Sequence, residues 1–260
     1  MLKNLQIEWM KIKNYRVFQV FSVLYMLGIL VIIYIFYKIY TQLTGRLTGR
    51  DDSDLFRLFS EDSIWTTTCF ATSFLLYLPG MVIINLFINE VNFKTHRQNI
   101  IDGWKRETFI YTKISLIACV SVVVTIMNLF AGLIMCSVTN TTFSIASAAP
   151  VLGLCFVQTF VYMMFALLLA TFFRRSGIAI IVFFIYGLIL EFLLMWIVWK
   201  IAPGAQHFLP LQVADSLILF PGMDGLYLSK PGTPVMLAGA LAFAGLYIYL
   251  TVRKYKYDDL

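Results

Sequence analysis

Residues 114–173 form a stretch of 60 positions without one charged side chain. A helix rises about 1.5 Å per residue, so about 20 apolar residues cross a hydrocarbon core of about 30 Å. The stretch is therefore long enough for two crossings and the turn between them. Residues 17–37, 63–89 and 231–252 are also uncharged, and 176–190 continues past Glu191 to Trp199. Together these runs predict an all-α membrane protein with six transmembrane helices. Sixty percent of the residues are hydrophobic and 13% charged, far from soluble composition. Residues 1–260 read as a single transmembrane domain, with no space for a soluble domain of about 50 residues.

Lys and Arg set the orientation. Fourteen of the 20 fall on one side: Lys3, Lys11, Lys13 and Arg16; Lys94, Arg97, Lys105, Arg106 and Lys113; Arg174 and Arg175; Arg253, Lys254 and Lys256. The other side carries Lys38, Arg46, Arg50, Arg57, Lys200 and Lys230, together with Asp51, Asp52, Asp54, Glu61 and Asp62. Basic residues collect on the cytoplasmic side of membrane proteins, so both termini are expected in the cytoplasm. The net charge of +6 is read as orientation and not as affinity for nucleic acid. The N-terminus does not read as a cleaved signal, because its first apolar run is of full span length.

The connections differ in character. Over residues 1–16, Leu2, Leu5, Trp9 and Ile12 recur at spacings of three and four with Lys3, Lys11 and Lys13 elsewhere on the wheel, which predicts an amphipathic interfacial helix. Residues 38–63 form a polar, acidic outer loop. The outer connection at 137–149 is short and rich in Ser and Thr. Residues 201–233, "IAPGAQHFLPLQVADSLILFPGMDGLYLSKPGT", punctuate short apolar pieces with Pro and Gly. Each piece is too short to span, so the segment reads as an extracytoplasmic, re-entrant-like hairpin before the last span. Non-helical backbone at membrane depth needs protein or a wet cavity around it, so this hairpin should cap the outer mouth of the bundle.

Catalytic and metal signatures are absent. The chain has no GxxxxGK[ST], HExxH, GxSxG or GxGxxG, so it lacks a P-loop of its own for ATP. His96 and His207 fall on opposite faces. Cys69, Cys119, Cys136 and Cys155 lie in apolar runs without a CxxC pair, and no metal site is expected. An ionisable group at a helix centre costs about 2.5–3.5 kcal/mol on insertion scales, so Glu191 in the fifth span needs a reason. It is a proton or cation relay, a polar point on a substrate path, a buried carboxylate satisfied by a neighbouring helix, or a group reaching water at the outer interface. Asn85, Asn128 and Gln158 are polar positions on such a path or interhelical hydrogen bonds. "LAGALAFAG", residues 237–245, spaces Ala238/Ala242 and Ala240/Ala244 for close helix packing.

The remaining long connector is "NEVNFKTHRQNIIDGWKRETFIYTK", residues 89–113. Helix–helix links commonly take about 2–8 residues, and this one is far longer. Phe93, Ile100, Ile101, Trp104 and Phe109 loosely cover one side of a helix, with Lys94, Gln98, Asp102 and Lys105 on the other. Gly103 can end that helix before Arg106 and Glu107 begin the third span. The mixed charge differs from a uniformly basic lipid-binding patch.

With its amphipathic first helix, six spans, long cytoplasmic segment between spans two and three, short basic turn and broken outer hairpin, the chain resembles the permeases of type-2 ABC exporters. Glu90 matches a glutamate that the family carries at the end of the second span. "IDGWKRETFIYTK" matches a segment in which Arg, here Arg106, is followed about seven residues later by Lys, here Lys113. The family often has Pro near Trp104 and Ser or Thr at Lys105, where this sequence departs.

The resemblance implies a transport subunit and not an enzyme. Two permeases, identical or related, would sit in the bacterial inner (plasma) membrane and dock two separate ATP-binding-cassette ATPases, which hold the ATP and Mg; this chain would carry no cofactor. The region 91–112 would be the coupling helix. The implied docking and coupling residues are Glu90, Phe93, Arg97, Ile100, Asp102, Gly103, Trp104, Arg106 and Lys113, with Arg174 and Arg175 beside a second contact. An ion-coupled carrier or channel using Glu191, and a membrane-assembly subunit without transport, are the alternatives.

Overall fold

The computed structural model describes residues 2–13, 15–46, 58–95, 106–221 and 230–257. Among them six helices are long and apolar enough to cross a membrane: Arg16–Gln42, Ile64–Asn92, Glu107–Thr139, Ile145–Phe173, Ser176–Ile201 and Thr233–Tyr257, here spans 1 to 6. An arm helix, Leu2–Lys13, precedes span 1. No described residue lies in a strand. The chain is an all-α, six-span protein.

Helices form because hydrocarbon offers no partner for backbone N–H and C=O groups, which must then be satisfied within the segment. Hydroxyl side chains follow the same rule. Thr68, Thr112, Thr125, Thr139, Thr159 and Thr171 each donate to the carbonyl four residues earlier, at 2.8–2.9 Å. Span 2 tightens into a short 3₁₀ turn over Phe74–Leu76. Pro79 follows, and a proline ring presses on the carbonyl four residues back, here that of Leu75.

Span 4 is the centre of the bundle, and its sequence already lacks a polar face. Sixty-one percent of its most apolar stretch is buried, against 17% for spans 1 and 5. A helix that is apolar all round is a buried one. Spans 1 and 5 lie outside it, with Leu27, Leu30, Ile181 and Phe192 among the large side chains they leave exposed. Span 6 packs through Met236, Ala240, Ala244, Tyr247, Thr251 and Tyr255. The pair Ala240/Ala244 is thus used within the chain, while Ala238 and Ala242 face outward.

Two contacts define the faces of the bundle. Lys256 near the end of span 6 pairs with Glu107 at the start of span 3, 2.8 Å apart. The arm reaches the same end of span 3 through an ion pair between Glu8 and Lys113. The arm, the end of span 2, the start of span 3 and the end of span 6 therefore share one face. The connection between spans 5 and 6 lies at the opposite, hairpin face.

Gly80 shows how closely span 2 approaches span 5. A methyl placed on it would lie 2.5 Å from the Phe183 ring. Phe183 is fully buried and hemmed in by Tyr77, Tyr162 and Phe165 at centroid distances of 5.2–6.5 Å, so it cannot swing aside. Alanine gains about 1 kcal/mol over glycine in a helix, but overpacking costs about 1–3 kcal/mol. Gly80→Ala should lower the thermal midpoint of the purified protein. Gly153→Ala, where an added methyl meets nothing within 4 Å, should leave it equal or higher.

Candidate functional site

On the arm face, charge is buried by pairing. The arm seats on the bundle through Ile12 and Glu8, both almost wholly buried, whereas Trp9 remains 56% exposed. Opposite Glu8, the Lys113 ammonium enters from two turns inside span 3. It lies between the Glu8 carboxylate, with which it pairs, and Glu90 Oε1 at 2.7 Å. Lys11 closes the group at 3.3 Å from Glu8 and 3.9 Å from Glu90. Among the described residues two acids and two bases thus meet, and the Phe109 ring lies 5.2 Å below Lys113 Nζ. Beside them the Asn89 amide donates to the Tyr15 hydroxyl, tying the end of span 2 to the junction of arm and span 1.

These contacts change what Glu90 and Lys113 offer. Both belong to the docking set implied by resemblance, yet Lys113 is 3% exposed and its charge is spent inside the chain. Phe93 ends span 2 and is 77% exposed. Lys94 then takes a left-handed φ of 55°, turning the chain off the span axis. Arg97, Ile100, Asp102, Gly103 and Trp104 lie outside the described residues. Arg106 opens the helix of span 3, its side chain outside the description. Arg174 and Arg175 are exposed on the two-residue turn between spans 4 and 5, where Arg174 takes a left-handed φ of 49°.

On the hairpin face, Glu191 is the anchor. Span 5 widens by one turn over Tyr186–Leu190, so that the Glu191 N–H bonds to the Tyr186 carbonyl. Leu190 and Phe192 remain exposed while Glu191 is 3% exposed. Its Oε1 accepts the N–H groups of Leu211 and Gln212 at 2.6 and 2.7 Å. These belong to the start of a single helical turn, Gln212–Asp215, whose first N–H groups have no helical partner. At about 1.5 Å per residue, Glu191 lies about 15 Å in from the end of span 5 at Ile201. The hairpin therefore re-enters the bundle.

Further bonds fasten the hairpin. Asp215 accepts from the Tyr162 hydroxyl at 2.8 Å and from Gln158 Nε2 at 3.0 Å. The Tyr247 hydroxyl donates to the Pro210 carbonyl at 2.9 Å. His207 Nδ1 and Ser216 Oγ are 3.1 Å apart, but both side chains are buried and serve as a tie. Burial lowers the His207 pKa, and the Lys230 charge adds to the effect. Of the other polar positions, Asn128 donates across to Cys155 Sγ at 3.2 Å. Asn85 bonds the Met81 carbonyl of its own helix at 3.0 Å.

Among the described residues no three His, Cys, Asp or Glu side chains gather closely enough to hold a metal ion. Cys69, Cys136 and Cys155 are buried free thiols, and Cys119 is exposed. The partners that sequence reasoning missed are Glu8, Asp215 and Tyr162. Only Glu8 left a signal, sitting three residues after Leu5 and four before Ile12, beside the arm's apolar face. No protein-family model matches the chain, and no curated protein matches it significantly.

Removing one member of a buried ion pair costs about 3–5 kcal/mol, because the other charge stays behind. Lys113→Ala should therefore lower the thermal midpoint strongly, and Lys113→Arg, which keeps the charge between Glu8 and Glu90, should lower it less. His207 gives a pH dependence of known sign. With its folded pKa below the usual 6.5, its contribution to stability is complete above pH 6.5 and is lost as the pH falls through the folded value. The drop in thermal midpoint between pH 7.5 and 5 should be smaller in His207→Gln than in the unaltered protein.

Proposed function

We propose that this chain is the transmembrane permease subunit of a type-2 ABC exporter in the bacterial plasma membrane, with both termini cytoplasmic. The observation that carries this reading is the buried group of Glu8, Lys11, Glu90 and Lys113. Glu90 and Lys113 stand at the two roots of the segment 93–106, one where span 2 ends and one where span 3 begins. Bonded to each other and to the arm, they make those roots and the arm a single body. A push on the segment between them would then move spans 2 and 3 and the arm together, which is what a permease driven from outside its own chain requires. The basic, aromatic segment itself, with Phe93, Trp104 and Arg106, would enter the cleft of a separate ATPase, and Arg174 and Arg175 would meet it nearby.

The lack of a P-loop accords with this division of labour: ATP and Mg bind and react in the partner, and this chain supplies movement and a path. The apolar faces of spans 1 and 5 are surface for lipid or for a second permease. Glu191 is fastened to the hairpin by two backbone N–H groups, which supports a role in holding the outer mouth more than one in carrying an ion.

The test is co-expression with candidate ATP-binding-cassette ATPases from the same genome, of which one should pair with this chain. The two should co-purify, and Trp104→Ala with Arg106→Glu should lower both binding and permease-stimulated ATP hydrolysis at least tenfold, a loss of about 1.4 kcal/mol or more in coupling. Undiminished binding and transport in that double variant would remove the coupling role.

A further inference from the structure

A cleft opens between the arm and spans 1, 2 and 3, with a volume of about 190 Å³. Trp9 and Ile12 of the arm form one end, and Tyr25, Ile83, Cys119 and Val124 line its walls. On span 3 its lining runs from Leu116 to Met127, about 16 Å at about 1.5 Å per residue. That is about half of a 30 Å hydrocarbon core, the depth of one leaflet. The cleft is open sideways: Met26 and Val123 at its edge are each about half exposed, between span 1 and span 3. Water has almost nothing to bond to along such a wall, and an apolar cavity of this kind stays dry.

The junction of arm and span 1, next in sequence to the cleft lining, has the opposite character. Lys13 follows Ile12 directly, and Arg16 lies two residues before Phe18, another lining position. Both side chains are exposed, and no described acidic side chain pairs with either. Lys11, by contrast, is occupied by Glu8 and Glu90. Two exposed cations, Lys13 at the end of the arm and Arg16 at the start of span 1, thus stand at the junction from which the walls of this dry, leaflet-deep apolar slot begin, without lining it.

We propose that this cleft binds one acyl chain of an anionic glycerophospholipid, whose phosphate is held by Lys13 and Arg16. The chain slides in between spans 1 and 3 and fills the space under Trp9 and Ile12. The lipid then packs under the arm on the same face as the Glu8–Lys113 pair and adds to the arm's hold on the bundle. The inference goes beyond the exporter reading and does not depend on it, since it needs only the arm, the spans and a bilayer.

The test reconstitutes the full chain into vesicles of equal phosphatidylglycerol and phosphatidylcholine, extracts it in mild detergent and counts retained lipid by native mass spectrometry. The unaltered chain should keep one phosphatidylglycerol per copy in preference to phosphatidylcholine. Cys119→Trp, which fills the cleft, should lower that retention severalfold, while Ile181→Trp on the exposed face of span 5 should not. Lys13→Gln with Arg16→Gln, two surface changes that leave the core intact, should abolish the preference for phosphatidylglycerol. That pair decides the matter even where Cys119→Trp fails to fold. Equal retention of the two lipids by the unaltered chain, no retained lipid, or unchanged preference in the Lys13/Arg16 variant would each overturn the proposal. So would a dimer that Cys119→Trp dissociates without any change in bound lipid, because a second copy would then be the occupant.

Discussion

Hydrocarbon forms no hydrogen bonds, and this one constraint orders everything else in the molecule. It makes each crossing a helix, and it drives polar side chains inside the bundle to find a partner or reach a surface. Trp65 Nε1, Ser121 Oγ and Thr251 Oγ1 are buried exceptions, without a hydrogen bond among the described residues. Many threonine hydroxyls turn back to their own helix. Amides and carboxylates cannot do so as readily, because a carboxylate needs donors. The carboxylates of Glu8, Glu90, Glu191 and Asp215 therefore collect ammonium, N–H or hydroxyl donors from other elements, and in doing so they fix which elements lie side by side. Apolar packing alone distinguishes such neighbours weakly in a membrane, since lipid tails are as apolar as the side chains they would replace.

The two polar clusters use this constraint differently. On the arm face the partners are full charges of both signs, and the result is a joint between separate helices. On the hairpin face Glu191 meets backbone N–H groups at the start of a helical turn, where the unpaired donors of any helix lie. That bond does not join two spans directly; it seats a non-helical segment at a depth where its backbone would otherwise be unsatisfied. The wide turn at Tyr186–Leu190 rotates Glu191 inward for this purpose, at a position where its neighbours on either side face lipid.

Much of this architecture was legible in the sequence because its cause is local. Charge-free runs mark the spans, and the polar interruption at 137–149 inside 60 uncharged residues marks the turn, which the structure places between Thr139 and Ile145. Span 1 continues as helix to Arg46, past the end of its charge-free run at Tyr37, because charged residues beyond the hydrocarbon do not stop a helix. The irregular hairpin announces itself through Pro and Gly. The pairings were not legible. Glu8 and Lys113 are 105 positions apart, and nothing in either neighbourhood names the other. Glu191 could be singled out as a carboxylate in need of a partner, but its donors are main-chain groups, which carry no residue-specific signal. The wide turn beside it is equally silent, since its sequence, Tyr-Gly-Leu-Ile-Leu, would form an ordinary helical turn elsewhere.

The ties divide between two groups of spans. The arm cluster binds the first half of the chain: Glu90 brings span 2, Lys113 brings span 3, and Tyr15 with Asn89 brings the start of span 1. The hairpin cluster binds the second half: Tyr162 and Gln158 from span 4, Glu191 from span 5 and Tyr247 from span 6. Each half is therefore stapled by buried polar bonds at a different depth and on a different face. Between the halves the arm face offers the Lys256–Glu107 pair, which is about half exposed on both sides and of the kind that contributes little. Deeper in, Asn128 of span 3 donates to Cys155 Sγ of span 4 at 3.2 Å, alongside apolar contact such as Phe109 stacked on Tyr255 at 5.3 Å. Span 4, the most buried helix, packs against spans 2, 3 and 6 alike, and Gly80 of span 2 lies tight against the Phe183 ring of span 5. The two stapled groups therefore meet in one shared core, and the polar ties at each face fix how the spans around that core are ordered.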